Sequence, residues 1–104
     1  MIVREWRGRA EPQRAEAYPK HFREKVAREL RSIGGFLGAE LVRREAGGKI
    51  EFVVLTRWRS AEAIRAFAGH DADKAVVEPE AGAALTDFDD FVRHYEMVER
   101  VSAP

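Results

Sequence analysis

The chain reads as an α+β domain: a four-stranded antiparallel sheet with two helices on one face. Three features carry this reading. The run Glu51 to Asp71, EFVVLTRWRSAEAIRAFAGHD, passes abruptly from an apolar, Val/Phe/Trp-rich strand pattern to an alanine-rich segment of helical period. Upstream, Tyr18, Phe22, Val26, Leu30 and Ile33 recur at spacings of four, four, four and three, one stripe of an amphipathic helix. The glycine pairs Gly34-Gly35 and Gly47-Gly48 separate these periodic segments.

Met1 to Arg9 carries Ile2, Val3 and Trp6 among charges and is expected to form the first strand. Pro12 suits an early helical position, where its missing N–H has no partner to lose. Pro19 either starts the regular part of the first helix or kinks it. Gly34-Gly35 ends that helix by tolerating a left-handed cap. Phe36 to Glu45 then forms the second strand, Ala46 to Lys49 a hairpin turn, and Ile50 to Trp58 the third strand. Ser60 N-caps the second helix, whose Ile64 and Phe67 face the core. Asp71 is expected to cap a short helical piece through Val77, with another turn at Glu80 to Leu85. Phe88 to Arg100 closes the chain as the fourth strand. The order is βαβ followed by βαβ, which with right-handed crossovers gives a ferredoxin-like sheet over residues 1–104.

Phe52, Val53, Val54 and Leu55 are apolar on both strand parities. Helices cover only one face of such a sheet, so the other face needs a second cover. An identical subunit packed sheet to sheet is the simplest one, and a homodimer is expected.

Composition narrows the function classes. The 104 residues hold 18 Lys+Arg and 18 Asp+Glu, a formal net charge of zero that argues against a nucleic-acid partner. The Arg4/Arg7/Arg9 and Arg43/Arg44 blocks are interrupted by Glu5 and Glu45 and read as solvated faces. The absence of cysteine removes disulfides and thiolate chemistry, and makes the cytoplasm the expected location. The longest strongly apolar run, Phe52 to Leu55, is far too short to span a membrane, and Arg4 and Glu5 stand where a signal peptide needs apolar residues. The chain is therefore expected to be complete and to have no membrane partner.

On "GFLGAELVRR" (Gly35 to Arg44), "EFVVLTRWRSAEAIRAFAG" (Glu51 to Gly69) and "VRHYEMV" (Val92 to Val98), the chain resembles the antibiotic biosynthesis monooxygenase family of dimeric α+β barrels. The resemblance implies a dimer with a pocket between helices and sheet. It covers cofactor-free oxygenases of aromatic polyketides or quinols, haem-degrading enzymes and members without an assigned activity.

Cofactor-free oxygenation needs a phenol-like substrate deprotonated inside an apolar pocket, so that its anion can pass an electron to dioxygen. The protein must supply a base, a donor for the oxyanion and aromatic walls. The three histidines are the first candidates for the base. Tyr18 and His21, three residues apart, are neighbours on the first helix. Their plainer alternative is an amphipathic tyrosine and a solvent-facing histidine. His94 and Tyr95 point to opposite sheet faces, and a helix-facing His94 would look into the cavity that Tyr18 and His21 rim. Otherwise His94 is an interface or core histidine. Tyr18 or Arg57 would supply hydrogen bonds, and Phe67 a wall. The resemblance implies a pocket wall for Trp58, which could equally fill the strand–helix corner. It also offers His70 as an axial haem ligand beside Trp58, but the asparagine of that branch has no counterpart, because the chain contains none. A helix-end cation is the simpler account of His70.

Other signals fail. Gly34-Gly35 and Gly38 lack the dinucleotide spacing, no two histidines have helical metal-site spacing, and Asp87, Asp89 and Asp90 lack a calcium-loop pattern. The expectation is a cofactor-independent monooxygenase acting on a small aromatic hydroxy compound or quinol, with no cofactor or metal. His21, Tyr18 and His94 are its catalytic candidates; Trp58, Phe67, Arg57 and His70 are its pocket candidates. The alternatives are a non-catalytic dimer that binds a small apolar or aromatic ligand, and a haem-binding or haem-degrading protein.

Overall fold

The computed structural model describes residues 1–104. Strand β1 (Ile2–Ala10) leads through a 3₁₀ turn (Pro12–Arg14) into a continuous first helix. This helix has three parts: α1 (Ala17–His21), a π-helical turn (Phe22–Val26) and α2 (Ala27–Arg31). Then follow β2 (Phe36–Ala46), β3 (Lys49–Trp58), α3 (Ala61–Ala68), α4 (Pro79–Ala84), β4 (Asp87–Phe88) and β5 (Arg93–Glu96). The sheet runs β2-β3-β1, and β4 and β5 both pair antiparallel with the far edge of β1. This is the ferredoxin-like α+β arrangement.

Local chemistry explains the element ends. Gly47 and Gly48, at φ +60° and +78°, supply the two positive φ angles of a tight hairpin turn between β2 and β3. The Ser60 side chain accepts from the Ala63 N–H at 3.2 Å and caps α3, worth about 1 kcal/mol. Gly35, at φ +90°, turns the chain out of the first helix. A Cβ there would lie 2.5 Å from the Ala63 Cβ, so α3 packs directly onto its backbone.

Alternation sets the two sheet faces. Phe52, Val54, Thr56 and Trp58 of β3 lie buried beneath the helices, opposite Gly8, Trp6, Arg4 and Ile2 of β1. Phe52, Trp58 and Leu30 are the largest fully buried side chains. Val53 and Leu55 point to the other face and are only half-buried, beside an exposed Val42. That open face also holds paired charges, with Arg57 donating to Glu40 at 2.7 Å and Arg44 to Glu51 at 2.9 Å.

Three expectations need correction. Residues 71–77 form no helix. Their backbone instead docks on the chain before β5, with Ala75 N–H donating to Asp90 O at 2.9 Å and Val92 N–H to Asp73 O at 2.8 Å. These tertiary bonds outweigh a lone helical turn, whose nucleation is costly. The last strand does not run unbroken from Phe88 to Arg100. Gly8 pairs with Phe88 and Glu5 with Arg93, so the late strand carries two extra residues that bulge out. Ladder pairing ends at Glu96 opposite Ile2, and one more bond, Met97 N–H to Met1 O at 2.9 Å, closes the end of the chain's first strand. Finally, Arg4 is not on a solvated face: it is 4% exposed.

Candidate active site

A small cavity, about 50 Å³, lies between the first helix, the sheet and the segment leading into α4. That is room for a water or two. The sheet contributes Arg4 and Trp6 from β1 and Val54 and Thr56 from β3. The first helix contributes Tyr18, His21, Val26 and Leu30, and α3 contributes Phe67. Val76, Glu78, Ala81 and Val92 complete the wall.

The π turn explains how the first helix reaches the cavity. His21 and Val26 are five residues apart, which on an α-helix would place them about 140° apart. Ala27 N–H donates to Phe22 O, an i→i+5 bond that widens the turn and brings both side chains to one wall. Phe22 is then released to the other side, where it packs on the cluster around Phe52. The expected stripe Tyr18–Phe22–Val26–Leu30 is split by this one insertion.

The polar groups converge. The His21 side chain is 9% exposed and its Nε2 has no hydrogen-bond partner. Glu78 Oε1 lies 3.7 Å from that atom, too far for a direct bond. Lys25 Nζ lies 3.0 Å from the other Glu78 oxygen and holds the carboxylate in place. His21 also borders an outer groove lined by Arg14, Lys20, Lys25 and Arg28 with Glu24 and Glu80, so it stands between groove and cavity. Tyr18 is 3% exposed, and burial, then the Glu78 charge, pushes its hydroxyl well above the ordinary phenol range. It is therefore a neutral donor rather than a base. Trp6 packs against Tyr18 at 5.7 Å and donates from Nε1 to Asp89 O at 2.8 Å.

Arg4 forms the floor. Its Nη1 donates to Ala72 O at 2.5 Å and lies 3.0 Å from His94 Nε2; its Nη2 donates to Lys74 O at 2.8 Å. The guanidinium carbon sits 5.8 Å from the Phe67 ring centroid. Burial lowers the Arg4 pKa to about 10, against the opposing charge of Asp73. Because Arg4 can only donate, His94 Nε2 accepts and its Nδ1 carries the proton, 3.3 Å from Asp73 Oδ1. Burial and then the Arg4 charge hold the His94 pKa below its ordinary value, with Asp73 opposing.

Of the residues singled out from sequence, Tyr18, His21 and Phe67 meet at the cavity. Four others do not. Trp58 is fully buried beyond it, stacked on Phe67 at 5.6 Å and donating to the Thr56 hydroxyl at 2.7 Å. Trp58 therefore backs the wall rather than forming it. Arg57 lies on the opposite sheet face, because β3 alternates. His70 is exposed past the end of α3. His94 does face the helix side, but Arg4 takes the cavity-lining place on the neighbouring strand. Arg4, Trp6 and Glu78 were missed. Arg4 and Trp6 share the inward parity of β1, a signal present in the sequence, whereas Glu78 reaches the cavity only through the tertiary path of residues 71–78.

The fold is a ferredoxin-like sheet with a cavity under its helices, lined by both polar and aromatic side chains. The antibiotic biosynthesis monooxygenase model matches residues 1–79, and the chain belongs to that family. Candidate antibiotic biosynthesis monooxygenases from Deinococcus radiodurans and Bacillus cereus share the fold. The first is 16% identical, with 100% of this chain and 99% of the other covered and a TM-score of 0.66. The second is 17% identical, with 98% and 97% covered and a TM-score of 0.67. The haem-degrader MhuD of Mycobacterium tuberculosis, with two haems bound in its active site, is 25% identical over 98% of this chain and 100% of its own, at a TM-score of 0.59. No protein of curated function matches the chain.

Proposed function

We propose that the protein is a cofactor-independent monooxygenase acting on a small aromatic hydroxy compound or quinol. The observation that carries this reading is the buried, unpaired Nε2 of His21, a residue lining a cavity whose other polar groups include Tyr18, Glu78 and Arg4. A buried polar atom without a partner is costly unless something fills the gap. A ligand hydroxyl would fill this one.

In this reading His21 removes the hydroxyl proton, and Glu78 stabilises the imidazolium across the 3.7 Å gap. Tyr18 donates a hydrogen bond to the substrate oxygen. Trp6 and Phe67 flank the ring, the role first assigned to Trp58. The substrate anion gives one electron to dioxygen, and the radical pair combines at carbon. For an anthrone the outcome balances without an external reductant: one oxygen atom becomes the new carbonyl and the other leaves as water. The cavity must widen for such a ring, and residues 71–78, which bring Val76 and Glu78, are the part outside the regular elements. We also infer a homodimer through the open sheet face, as Val53, Leu55 and Val42 call for a cover.

A purely binding module would not need a buried base beside a carboxylate. Haem degradation, the activity of MhuD, fits these residues less well. His70, the candidate ligand for the iron, is exposed and does not line the cavity, and the chain contains no asparagine. The test is oxygen consumption with an anthrone and a naphthoquinol. The expected result is protein-dependent uptake that falls by about 10²–10⁴ in His21→Ala. Uptake that His21→Ala leaves unchanged, or none across a broad panel of such substrates, sinks the proposal.

A further inference from the structure

We infer that residues 70–78 form a strap over the cavity, latched by Arg4, that opens as a unit and uncovers the site. The inference rests on reading the cavity as a ligand site, and adds the moving part that closes it. The strap joins the end of α3 at Ala68 to the start of α4 at Pro79 and contains no regular element. Two of its residues, Val76 and Glu78, line the cavity. Val76 is also 45% exposed, so at that point a single layer of side chains separates cavity from solvent. Gly69 is the natural hinge. It holds φ +83° and ψ −165°, which glycine adopts without strain, and no atom lies within 4 Å of the place a Cβ would take. Pro79 marks the other end, where α4 begins.

The latch is a buried side chain tied to strap backbone. Arg4 donates to Ala72 O at 2.5 Å and to Lys74 O at 2.8 Å, carbonyls two residues apart. No backbone N–H donates to either of them. The strap's other backbone bonds go to the chain before β5, from Val92 N–H to Asp73 O and from Ala75 N–H to Asp90 O. Arg4 thus serves one edge of the strap as a neighbouring strand would, while residues 90–92 serve the other. Without the guanidinium, two carbonyls lose their donors, and the way to new ones is outward into water. At the far end the Glu78 carboxylate meets Lys25, whose side chain is 43% exposed. Bonds from a buried charged donor are strong, whereas an exposed ion pair adds little. Closure therefore depends on Arg4 more than on Lys25.

Amide hydrogen exchange reads the strap without any substrate. In the wild-type protein the Ala75 and Val92 amides should exchange through a local opening. They should be at least about tenfold less protected than the amides of the β2–β3 ladder, and their exchange should not respond to low urea. Arg4→Met should lower the protection of both by a further factor of about ten or more and leave the β2–β3 ladder unchanged. An Arg4 that merely stabilises the whole fold would lower strap and ladder alike. Should Arg4→Met not fold, the wild-type measurement decides by itself. Ala75 and Val92 exchanging only together with the ladder overturns the inference, as does an Arg4→Met protein whose strap protection is unchanged or falls in step with the ladder. Exchange does not depend on turnover, so a protein that consumes no oxygen would sink the oxygenase reading alone. A strap that opens only when the whole fold unfolds would sink this inference alone.

Discussion

Arg4 and His94 show how one side chain dictates the state of another. The guanidinium forces His94 to accept through Nε2, and the burial that goes with it disfavours the imidazolium. The sign follows. The folded-state pKa lies below the ordinary 6.5, so the unfolded chain binds more protons in between. The stabilising contribution of neutral His94 is complete above about pH 6.5 and is lost as pH falls through the folded pKa. Denaturant midpoints measured from pH 7.5 to pH 5 should fall more steeply for the wild-type protein than for His94→Gln; parallel curves would refute it. Trp58 gives a second prediction at this scale. It is fully buried and backs both Thr56 and Phe67, so Trp58→Ala should cost about 3–5 kcal/mol in urea unfolding. A cost under about 1 kcal/mol would place it outside the core.

At the scale of elements, the π turn and the path of residues 71–78 decide what faces the cavity. Neither follows from periodicity. The apolar spacing Tyr18–Phe22–Val26–Leu30 suits an unbroken α-helix, and only packing against the sheet shows that one extra residue is accommodated inside it. Residues 71–77 look able to form a helical turn, but Arg4 and the chain before β5 claim their backbone groups. By contrast, Ser60, Gly47-Gly48 and Gly34-Gly35 mark element ends that the structure keeps, because capping and positive φ are local requirements. Gly35 also permits a close approach that the sequence could not reveal. Gly35→Ala adds both a positive-φ penalty and a clash with Ala63, and should cost about 3 kcal/mol. Thermal unfolding measures it, and a variant as stable as the wild type would mean that α3 does not pack there.

For the whole molecule, the two-sided apolar character of β3 resolves into one buried face and one open face. Leu55 sits on the open face between Glu5 and Glu40 of the flanking strands. A lysine there finds carboxylate neighbours within one subunit but would be buried against an apolar partner sheet. Leu55→Lys should therefore leave the fold intact and convert a dimer to a monomer in analytical ultracentrifugation. A monomeric wild-type protein would remove the dimer proposal.

What lies along the chain is legible from local rules. Alternation, helical period and turn glycines lead to the sheet order, the helix faces and the family resemblance, because each depends on neighbours a few residues away. They also place Tyr18 and His21 together, three residues apart on one helix. The cavity itself is a different matter. Arg4 meets residues 68 to 90 positions later, and Glu78 meets His21 from a segment distant in sequence. Which charge is buried, which histidine is left unpaired and which tryptophan forms the wall depend on strand register and on one widened helical turn. Those are set by packing the whole core at once, so only the folded chain decides them.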